Sequence, residues 1–424
     1  MPTFADAPFT EDQQEAYDQV YDRLAQGERF TGLRGYAGTG KTYLVSRLVE
    51  QLVEEDCTVT VCAPTHKAVQ VLSRQLSGLG EAPVEMQTLH SFLGLRLAPT
   101  EDGEYELVHD EGCDFTEGVV IVDEASMIGR EEWQHIEETS GFVQWLFVGD
   151  PAQLPPVNED PSPALDVPGP TLETVHRQAA DNPILELATQ IRTGTDGRFG
   201  STFEDGKGVA ITRHRDEFLD SVLRAFDTEA FAEDATHARV LAYRNKTVRR
   251  YNREIRAARY GADAERFVEK EWLVATETWF HEGVPRLTNS EEVRVKKATV
   301  DTFEADDQSE WKTWKLKVRT PGRGLTRTAH VLHEDEFERY ENALEKRREA
   351  AKEDGSKWDR YYELRERFAR VDYAYASTVH RAQGSTFDTV FVDHRDLRAC
   401  RGEERRALLY VAVTRPARRL ALLV

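Results

Sequence analysis

Short apolar runs alternate along the chain with stretches in which apolar residues recur every three or four positions. In the first part of the chain the runs predict strands at Arg29–Leu33, Val59–Ala63, Val119–Val122 and Trp145–Val148. The stretch 41–54 predicts a helix, because apolar residues recur there at helical spacing, at Leu44, Val45, Leu48 and Leu52. This alternation indicates a parallel α/β sheet, in which ligands bind beyond the carboxyl ends of the strands.

The second half repeats this α/β pattern around an interruption. Its outer parts predict strands and helices at Arg239–Ala242, Asn245–Arg259, Tyr373–Ala376, Thr389–Val392, Glu403–Val413 and Arg419–Val424. Between them, strand-like runs predict a small β-barrel, at Trp272–Thr276, Glu292–Lys297, Trp311–Arg319 and Thr326–His333. The charged stretch 335–368 predicts two helices joined by a turn at Gly355–Ser356, and a solvated surface pair is the simplest interpretation of its charges. We therefore expect an insertion in a second α/β domain.

Two irregular segments also interrupt the first α/β pattern. Residues 93–109 form two short strand-like arms around the turn 99–103, which predicts an inserted β-hairpin. The Pro-rich stretch 151–170 predicts a loop and linker between the two α/β domains.

The net charge, taken alone, argues against nucleic acid as a ligand. The 424-residue chain has a net charge of −21, whereas nucleic-acid binders usually present a basic surface. Residues 1–174 contain 9 Lys and Arg against 32 Asp and Glu, but residues 175–424 contain 46 against 44. Because physiological salt screens each charge beyond about 8–10 Å, a groove in the second half can be locally basic. The acidic total therefore leaves DNA and RNA as candidate ligands.

Cysteine content and the lengths of apolar runs narrow the class of protein. The four cysteines form no CxxC pair, which argues against a zinc site or a disulfide framework and fits a reducing compartment. No run of about 18 apolar residues is present, and the N-terminus lacks the basic and apolar blocks of a signal peptide. We expect a cytoplasmic protein with no membrane partner.

The segment 35–42, GYAGTGKT, matches the phosphate-binding loop (P-loop) GxxxxGKT between a predicted strand and a predicted helix. Glycines in this loop allow backbone N–H groups to surround an anion at a helix N-terminus. Lys41 would contact the β- and γ-phosphates of ATP, and Thr42 would coordinate Mg²⁺. The predicted nucleotide-binding residues of the loop are Gly35, Ala37, Gly38, Thr39, Gly40, Lys41 and Thr42.

Two further strand ends carry side chains suited to phosphoryl transfer. The run 119–122 ends in Asp123 and Glu124, and ATP hydrolysis needs one carboxylate near Mg²⁺ and one that acts on the attacking water. Asp123 suits the first role, as a metal ligand, and Glu124 the second. Gln153 follows the run 145–148 and could sense the γ-phosphate or hold the water, although a Pro-rich linker explains the same segment.

Seven segments, in this order, resemble the motifs of superfamily 1 helicases. They are 35–42 (motif I), 63–68 (motif Ia), 88–93 (motif Ib), 123–126 (motif II), 149–153 (motif III), 377–385 (motif V) and 409–415 (motif VI). The chain is most similar to the 5′→3′ branch, superfamily 1B, and to its RecD group with the compact Dda-type members.

The resemblance implies an α/β fold with two RecA-like P-loop NTPase domains and two insertions. Domain 1A would comprise residues 1–174, with a β-hairpin (1B) at about 93–110. Domain 2A would comprise residues 175–265 and 371–424. Residues 266–370 would form domain 2B, an SH3-like β-barrel with a helical arm.

The resemblance also implies further catalytic and nucleotide-binding residues. Gln13 would recognise adenine through its amide. Arg177 and Arg415 match the motif IV and motif VI arginines and would act as arginine fingers on the γ-phosphate, although either residue alone suggests a surface ion pair. Gly384 would allow motif V to approach both nucleotide and DNA.

DNA contacts, by the same resemblance, come from motifs Ia, Ib and V. The predicted residues are Pro64, Thr65, His66, Lys67, Thr88, His90, Phe92, Ser377, Thr378 and His380. Hydroxyl and backbone N–H groups contact phosphates without reading sequence, which suits a motor that moves along DNA. Phe92 could stack on a base, but a core position is the alternative. The hairpin matches the family's strand-separating pin; its tip, 100–103, has no aromatic residue, and a purely structural hairpin is the alternative.

We therefore expect an ATP-dependent DNA helicase that uses ATP and Mg²⁺, moves 5′→3′ on single-stranded DNA and unwinds duplex junctions. Two alternatives stay open: an RNA helicase, because phosphate contacts do not distinguish the two sugars, and an ATP-gated binding module or translocase that does not unwind. We expect a monomer in a bacterial cell or phage-infected host. The expected protein partners are a single-stranded-DNA-binding protein or replication proteins.

Overall fold

A computed structural model describes residues 8–76, 84–100, 105–109, 117–139, 143–156, 159–175, 182–194, 200–204, 207–281, 284–304, 309–321 and 324–424. The helices are α1 (Glu11–Ala25), α2 (Lys41–Glu54), α3 (His66–Gln75), α4 (Leu89–Phe92), α5 (Arg130–Glu138), α6 (Pro183–Thr193), α7 (Arg215–Phe226), α8 (Glu229–Glu233), α9 (Asn245–Tyr260), α10 (Phe337–Glu353), α11 (Trp358–Arg365), α12 (Val379–Ala382), α13 (His394–Leu397) and α14 (Gly402–Thr414). None of these described helices has the length and apolar character needed to cross a bilayer.

The strands form three large sheets and two two-stranded ones. They are β1 (Phe30–Gly35), β2 (Val59–Ala63), β3 (Glu85–Thr88), β4 (Leu95–Pro99), β5 (Tyr105–His109), β6 (Gly118–Val122), β7 (Val143–Gly149), β8 (Thr171–Leu172), β9 (Thr202–Glu204), β10 (Lys207–Thr212), β11 (Ala238–Ala242), β12 (Trp272–Ala275), β13 (Trp279–His281), β14 (Val284–Leu287), β15 (Glu292–Glu304), β16 (Glu310–Arg319), β17 (Thr326–Leu332), β18 (Val371–Tyr373), β19 (Ala376–Thr378), β20 (Phe387–Asp393) and β21 (Pro416–Leu423).

The first lobe, which we define as the described part of 8–175, is built on a six-stranded parallel sheet in the order β3-β2-β6-β7-β1-β8. All five residues of β2 are buried, as expected for a parallel sheet covered on both faces. One face packs Leu33 against Leu44 and Leu48 of α2, and the other holds a cluster around Trp145 and Phe147. The carboxyl ends of β1, β2, β6 and β7 therefore lie at one edge of the sheet.

The second lobe, which we define as the described part of 182–260 together with 374–424, has a six-stranded sheet in the order β19-β11-β20-β21-β10-β9. Its strands are parallel except β9, which runs antiparallel to β10 at the edge. Buried clusters again cover both faces, one including Val390 and Leu408 and the other Tyr251 and Phe391. The two α/β sheets that the sequence predicts are therefore confirmed.

The insertion, residues 261–373, carries a five-stranded antiparallel sheet in the order β17-β16-β15-β12-β18. Helices α10 and α11 follow β17 and pack against each other, with the turn at 355–357 between them. Among the described residues β17 and β18 do not pair, so closure of this sheet into an SH3-like barrel stays a prediction. The sheet nevertheless places Glu292, at the start of β15, beside both lobes.

Two predicted strand boundaries are wrong, and each has a structural cause. The predicted strand 373–376 is two strands: β18 pairs with β12 of the insertion, whereas β19 pairs with β11 of the second lobe. Residues 371–373, predicted as part of domain 2A, therefore pair with the insertion. Strand β15 runs to Glu304, well past the predicted Lys297, because its outer half is an exposed ribbon held by pairing with β16 and has few buried positions for a pattern to reveal.

The hairpin and the Pro-rich segment belong to the first lobe. Strands β4 and β5 pair antiparallel within the range predicted for a hairpin, and its turn, 101–104, lies outside the described residues. The segment 151–170, predicted as a linker, packs onto the first sheet instead. The Arg34 guanidinium donates to the carbonyl oxygens of Leu165 (3.2 Å) and Val167 (2.6 Å), and Val167 is buried.

Candidate nucleotide site and nucleic-acid interface

The P-loop connects the end of β1 to the start of α2. Gly38 and Gly40 have φ angles of +81° and +91°, a region that residues with a Cβ rarely adopt. A Cβ added to Gly35 would lie 2.8 Å from the Thr39 hydroxyl oxygen, so the loop is too tight for any other residue there. This backbone geometry matches the loop chemistry that the sequence predicts.

Lys41 and Thr42 occupy the first turn of α2. The Lys41 ammonium donates to the carbonyl oxygens of Gly35 (2.6 Å) and Tyr36 (3.1 Å), which holds it across the P-loop. Thr42 is half-buried beside it. A cation and a helix N-terminus at one point form a site suited to a polyphosphate.

Gln13 lies against this loop from α1. Its amide nitrogen donates to the Thr39 carbonyl oxygen (3.1 Å), and its amide oxygen accepts from the Thr10 backbone N–H (3.3 Å). The side chain is 3% exposed, so it ties the start of α1 to the P-loop. Adenine recognition by Gln13 stays a prediction, and the structure gives this residue a positioning role as well.

Asp123 and Glu124 follow β6, at the same edge of the sheet as the P-loop, with β7 between β6 and β1. Burial, and next the neighbouring Glu124 carboxylate, raise the pKa of Asp123 well above its ordinary range, while Lys41 acts in the opposite direction. Glu124 has a φ of +55°, which costs a non-glycine residue about 1–3 kcal/mol and occurs preferentially at functional sites. The pair therefore has the electrostatics and the backbone strain of a catalytic carboxylate site.

The donor set fits Mg²⁺ bound together with a nucleotide. Within the described ranges, no group of three or more His, Cys, Asp and Glu side chains is arranged to hold a metal ion by itself. Mg²⁺ in nucleotide sites is typically held by one or two protein groups, phosphate oxygens and water. The Thr42 hydroxyl and the Asp123 carboxylate, with Lys41 nearby, supply that small set.

Motif III connects the first lobe to the second. Asp150 is buried and accepts from the Ala152 N–H (2.9 Å) and from the Tyr410 hydroxyl of α14 (2.7 Å). The Gln153 amide oxygen accepts from Gln383 of motif V (3.1 Å). The predicted residue Gln153 thus faces the other lobe rather than forming part of a free linker.

The sequence analysis assigned no role to Asp150, Tyr410 or Gln383. Tyr410 also accepts a hydrogen bond from the Ala37 N–H of the P-loop (2.9 Å), so one hydroxyl joins motifs I, III and VI. The sequence did show that these residues lie inside recognised motifs. It did not show their hydrogen-bond partners, because those lie in the other lobe.

The structure describes one of the two predicted arginine fingers, Arg415. Arg177 lies outside the described residues. Arg415 is buried directly after α14, and its guanidinium donates to the carbonyl oxygens of Val411 (3.1 Å) and Ser385 (3.3 Å). Among the described carboxylates none forms an ion pair with Arg415, so its charge is available to an anionic ligand.

Gly384 of motif V makes a close contact with motif Ia of the first lobe. Its φ is +68°, and an added Cβ would lie 3.3 Å from the Ala68 Cβ and 3.9 Å from the Thr65 hydroxyl oxygen. The structure therefore places Gly384 on the predicted DNA-binding segment 64–67. Its predicted contact with nucleotide stays a prediction.

Three predicted DNA-binding threonines are helix N-caps at strand ends. Thr65, Thr88 and Thr378 accept hydrogen bonds from the third residue of α3, α4 and α12. Each hydroxyl oxygen is used in its cap. The hydroxyl hydrogens of Thr65 and Thr378 can still be donated, whereas the Thr88 hydroxyl also shares a hydrogen bond with the Ser91 hydroxyl at 2.8 Å. Helix N-termini also attract phosphate, so a cap role and a DNA contact are compatible.

A polar cavity of about 270 Å³ lies where the two lobes and the insertion meet. Its lining includes Lys67, Arg239, Glu292, Ser377, Thr378 and Arg381. Five basic and three acidic side chains line it, so this cavity has a positive balance in a chain of strongly negative net charge. Arg381, a residue that sequence reasoning did not select, is exposed at its margin.

Lys67 is paired inside this cavity. Its ammonium lies 2.9 Å from the Glu292 carboxylate, which also forms an ion pair with the buried Arg239. Burial alone would raise the pKa of Glu292, but Lys67 and Arg239 more than compensate and hold it below its ordinary value. Glu292 is therefore ionised and links the insertion to both lobes.

The other predicted DNA-binding residues differ from one another in their contacts and in their burial. His90 contacts the Glu132 carboxylate at 3.1 Å, and Phe92 packs edge-on against Trp145 in the core of the first lobe, as its structural alternative predicts. Burial lowers the pKa of His380, an effect that Glu404 partly opposes. Pro64 and Ser377 are half-buried, whereas His66 is exposed at the first turn of α3.

Comparison with known proteins agrees with this arrangement. Residues 8–213 match a family model described as an AAA domain, and residues 373–424 match the UvrD-like helicase C-terminal domain. The chain is 28% identical to the ATP-dependent DNA helicase dda of Enterobacteria phage T4, over 97% of this chain and 98% of the phage protein. It is 34% identical to the ATP-dependent RecD2 DNA helicase of Deinococcus radiodurans, over 44% of this chain and 25% of that protein.

Solved structures of Pif1 helicases share the fold. A Pif1 helicase described at forked double-stranded DNA matches with a TM-score of 0.52 and 16% identity, over 99% of this chain and 92% of that one. Bacteroides Pif1 bound to single-stranded DNA matches with a TM-score of 0.50 and 17% identity, over 99% and 93%. From its ordered motifs, its domain matches and its nearly full-length similarity to dda, the chain belongs to the ATP-dependent helicases of superfamily 1B, in the RecD-like and Dda-like group.

Proposed function

We propose that the protein is a DNA helicase that moves 5′→3′ on single-stranded DNA and unwinds duplex DNA as it hydrolyses ATP. The observation that carries the proposal is the contact between the lobes at the P-loop. Ala37 bonds to Tyr410 of motif VI, and Gln153 bonds to Gln383 of motif V. Predicted nucleotide-binding groups of the first lobe are thus hydrogen-bonded directly to motifs of the second lobe. A change at the bound nucleotide can therefore move one lobe relative to the other.

We assign the catalytic roles from the motif that each side chain occupies. P-loop N–H groups and Lys41 would bind the phosphates of ATP, and Glu124 would act on the attacking water. Thr42 and Asp123 would hold Mg²⁺, which supplies positive charge to the β- and γ-phosphate oxygens. Arg415 would stabilise charge that develops on the transferred phosphoryl group. Arg177 is proposed for the same role, and Gln153 as the γ-phosphate sensor.

The DNA path we propose crosses the capped strand ends of both lobes and the cavity at the insertion. Thr65, Thr88 and Thr378 offer hydroxyl and helix N-terminal N–H groups, and the cavity adds basic side chains. These groups bind phosphates, so they grip DNA without dependence on its sequence. The hairpin of β4 and β5 is the proposed strand-separating element.

Forked duplexes with a single-stranded tail of either polarity test this function directly. With Mg²⁺ and ATP, we expect release of the strand only from forks that carry a 5′ tail. Release only from 3′-tailed forks would refute the polarity but keep the helicase. DNA-stimulated ATP hydrolysis with no strand release would favour a translocase. The same fork made of RNA tests the RNA alternative, because the 2′-hydroxyl is the group by which a protein that contacts the backbone distinguishes RNA from DNA.

Partners and an assembly state complete the proposal. We propose a monomer that meets single-stranded-DNA-binding protein or replication proteins at the fork, in a bacterial or phage-infected cytoplasm. Light scattering of the purified protein with and without a forked duplex checks the monomer.

The Glu292 carboxylate should weaken binding of single-stranded DNA. It occupies Lys67 and contributes one of the three negative charges in the cavity. We expect Glu292→Gln to bind a dT oligonucleotide about 3- to 10-fold more tightly, and the salt slope of log K to steepen by about 0.7, as for one added phosphate contact on a single strand. Fluorescence anisotropy at several salt concentrations measures both quantities.

Glu341→Gln is the control for that variant. Glu341 is an exposed carboxylate on α10 of the insertion, outside the lining of the cavity. Its replacement should change affinity less than twofold. Weaker binding by the Glu292 variant would contradict the prediction and mean that Glu292 positions Lys67 for DNA. Thermal unfolding must accompany the measurement, because the variant leaves the buried Arg239 without its anionic partner.

A further inference from the structure

The Tyr410 hydroxyl of the second lobe contacts two nucleotide-site motifs of the first lobe at once, motif I through Ala37 and motif III through Asp150. The hydroxyl accepts from the Ala37 N–H at 2.9 Å and donates to the Asp150 carboxylate at 2.7 Å. Tyr410 is 2% exposed and Asp150 is 1% exposed. Removing one partner from such a buried set leaves polar groups unsatisfied, so the contact strongly favours this placement of α14.

We propose that Tyr410 is a positioning residue for ATP hydrolysis, which sets α14 on the P-loop and thereby places Arg415 at the γ-phosphate. The inference rests on the proposed function, in which Arg415 is an arginine finger. It assigns to Tyr410 no contact with the nucleotide. Its effect reaches the reaction only through the helix.

The helix is built to transmit this placement. Tyr410 and Arg415 are five residues apart, which corresponds to about 7.5 Å along a helix axis. Residues 408–413 between and around them are all buried, so α14 is held rigidly by its own lobe. The Arg415 guanidinium donates to the carbonyl oxygen of Val411, one residue after Tyr410. A shift of α14 relative to the P-loop would therefore move the guanidinium with it.

A second contact supports the same geometry. The Arg192 guanidinium, at the end of α6, lies 3.6 Å from the ring centroid of Tyr36 in the P-loop. Helix α6 packs on α14, so both helices reach the same loop. A Cβ at Gly38 would lie 2.8 Å from Leu185 of α6, which shows how closely the second lobe approaches. Within this approach, Tyr410 supplies the hydrogen bond that ties α14 to the P-loop backbone.

A double-mutant cycle between Tyr410 and Arg415 tests the proposal. We expect Tyr410→Phe to lower kcat for DNA-stimulated ATP hydrolysis about 10-fold, with KM for ATP changed less than twofold. In an Arg415→Ala background, Tyr410→Phe should lower the rate constant of single-turnover ATP hydrolysis less than twofold, because Tyr410 acts on the reaction through Arg415. An equal, additive loss in both backgrounds would overturn the proposal. Wild-type turnover in Arg415→Ala alone would overturn the finger role itself, and with it this inference.

Tyr251→Phe is the control for simple loss of a buried hydroxyl. Tyr251 is fully buried in the second lobe, and its hydroxyl donates to the buried Asp393 carboxylate at 2.9 Å. It should lose comparable stability and keep wild-type kcat; an equal fall in kcat would overturn the proposal.

Affinity for a transition-state mimic provides a second readout. Tyr410→Phe should bind ADP with aluminium fluoride about 10-fold less tightly than wild type and bind ADP alone equally well. Asp150→Asn, which removes the charged acceptor of the same hydrogen bond, should reproduce this selective loss. Equal weakening of both ligands would mean a purely structural role for Tyr410.

Discussion

Replacement of Lys41 by alanine is expected to abolish ATP hydrolysis, with a loss in kcat of roughly two orders of magnitude or more. The Lys41 ammonium lies across the P-loop, 2.6 Å from the Gly35 carbonyl oxygen, where it would supply positive charge to the β- and γ-phosphates of ATP. No other lysine lies in the loop. Phosphate release at saturating ATP and single-stranded DNA measures the effect, and fork unwinding should be lost in parallel.

Lys346→Ala is a suitable control for the lost charge. Lys346 is exposed on α10 of the insertion, and its removal should leave turnover unchanged. If Lys41→Ala retained DNA-stimulated ATP hydrolysis, the P-loop would not be the nucleotide site. The assignment of the chain as an ATP-driven helicase would then fail.

Glu124→Gln is expected to reduce kcat by about 10²–10⁴-fold, the contribution typical of a general base, and to leave ATP affinity within about threefold. Glutamine is isosteric, so the strained backbone at φ +55° is retained and only the base is removed. Asp123 remains in place, so Mg²⁺ and nucleotide should still bind. Rapid-quench hydrolysis and binding of a fluorescent ATP analogue separate the two effects.

The exposed Glu137 of α5 provides the matched control. Glu137→Gln removes a carboxylate from the same lobe and should leave kcat and ATP affinity unchanged. If Glu124→Gln weakened nucleotide binding as much as turnover, Glu124 would be a binding group. Normal turnover in Glu124→Gln would mean that another residue acts as the general base.

The P-loop could be predicted because all of its determinants are consecutive in the chain. Positive φ angles are needed at particular positions, and Gly38 and Gly40 occupy them. The strand before and the helix after follow from local apolar spacing, and β2 was predicted to its exact residues. Motif II was predictable for the same reason, since its carboxylates directly follow a fully apolar run.

The strand-end threonines show the limit of a local pattern. Thr65, Thr88 and Thr378 are predicted DNA contacts, and all three also cap helices. Both roles need a small hydroxyl residue after a strand, so sequence does not distinguish them. Phe92 is a similar case, because an aromatic residue that stacks on a base and one that packs on Trp145 look alike in the chain.

Sequence by itself determined the two α/β sheets, the conformation of the P-loop and the position of the carboxylate pair, because each depends on neighbours in the chain. Only the tertiary structure decided which distant side chains complete the site. Tyr410 and Ala37 are 373 residues apart, and Lys67 and Glu292 are 225 apart. Such partners are chosen by how whole lobes pack, and that packing sums many weak contacts that no local spacing records.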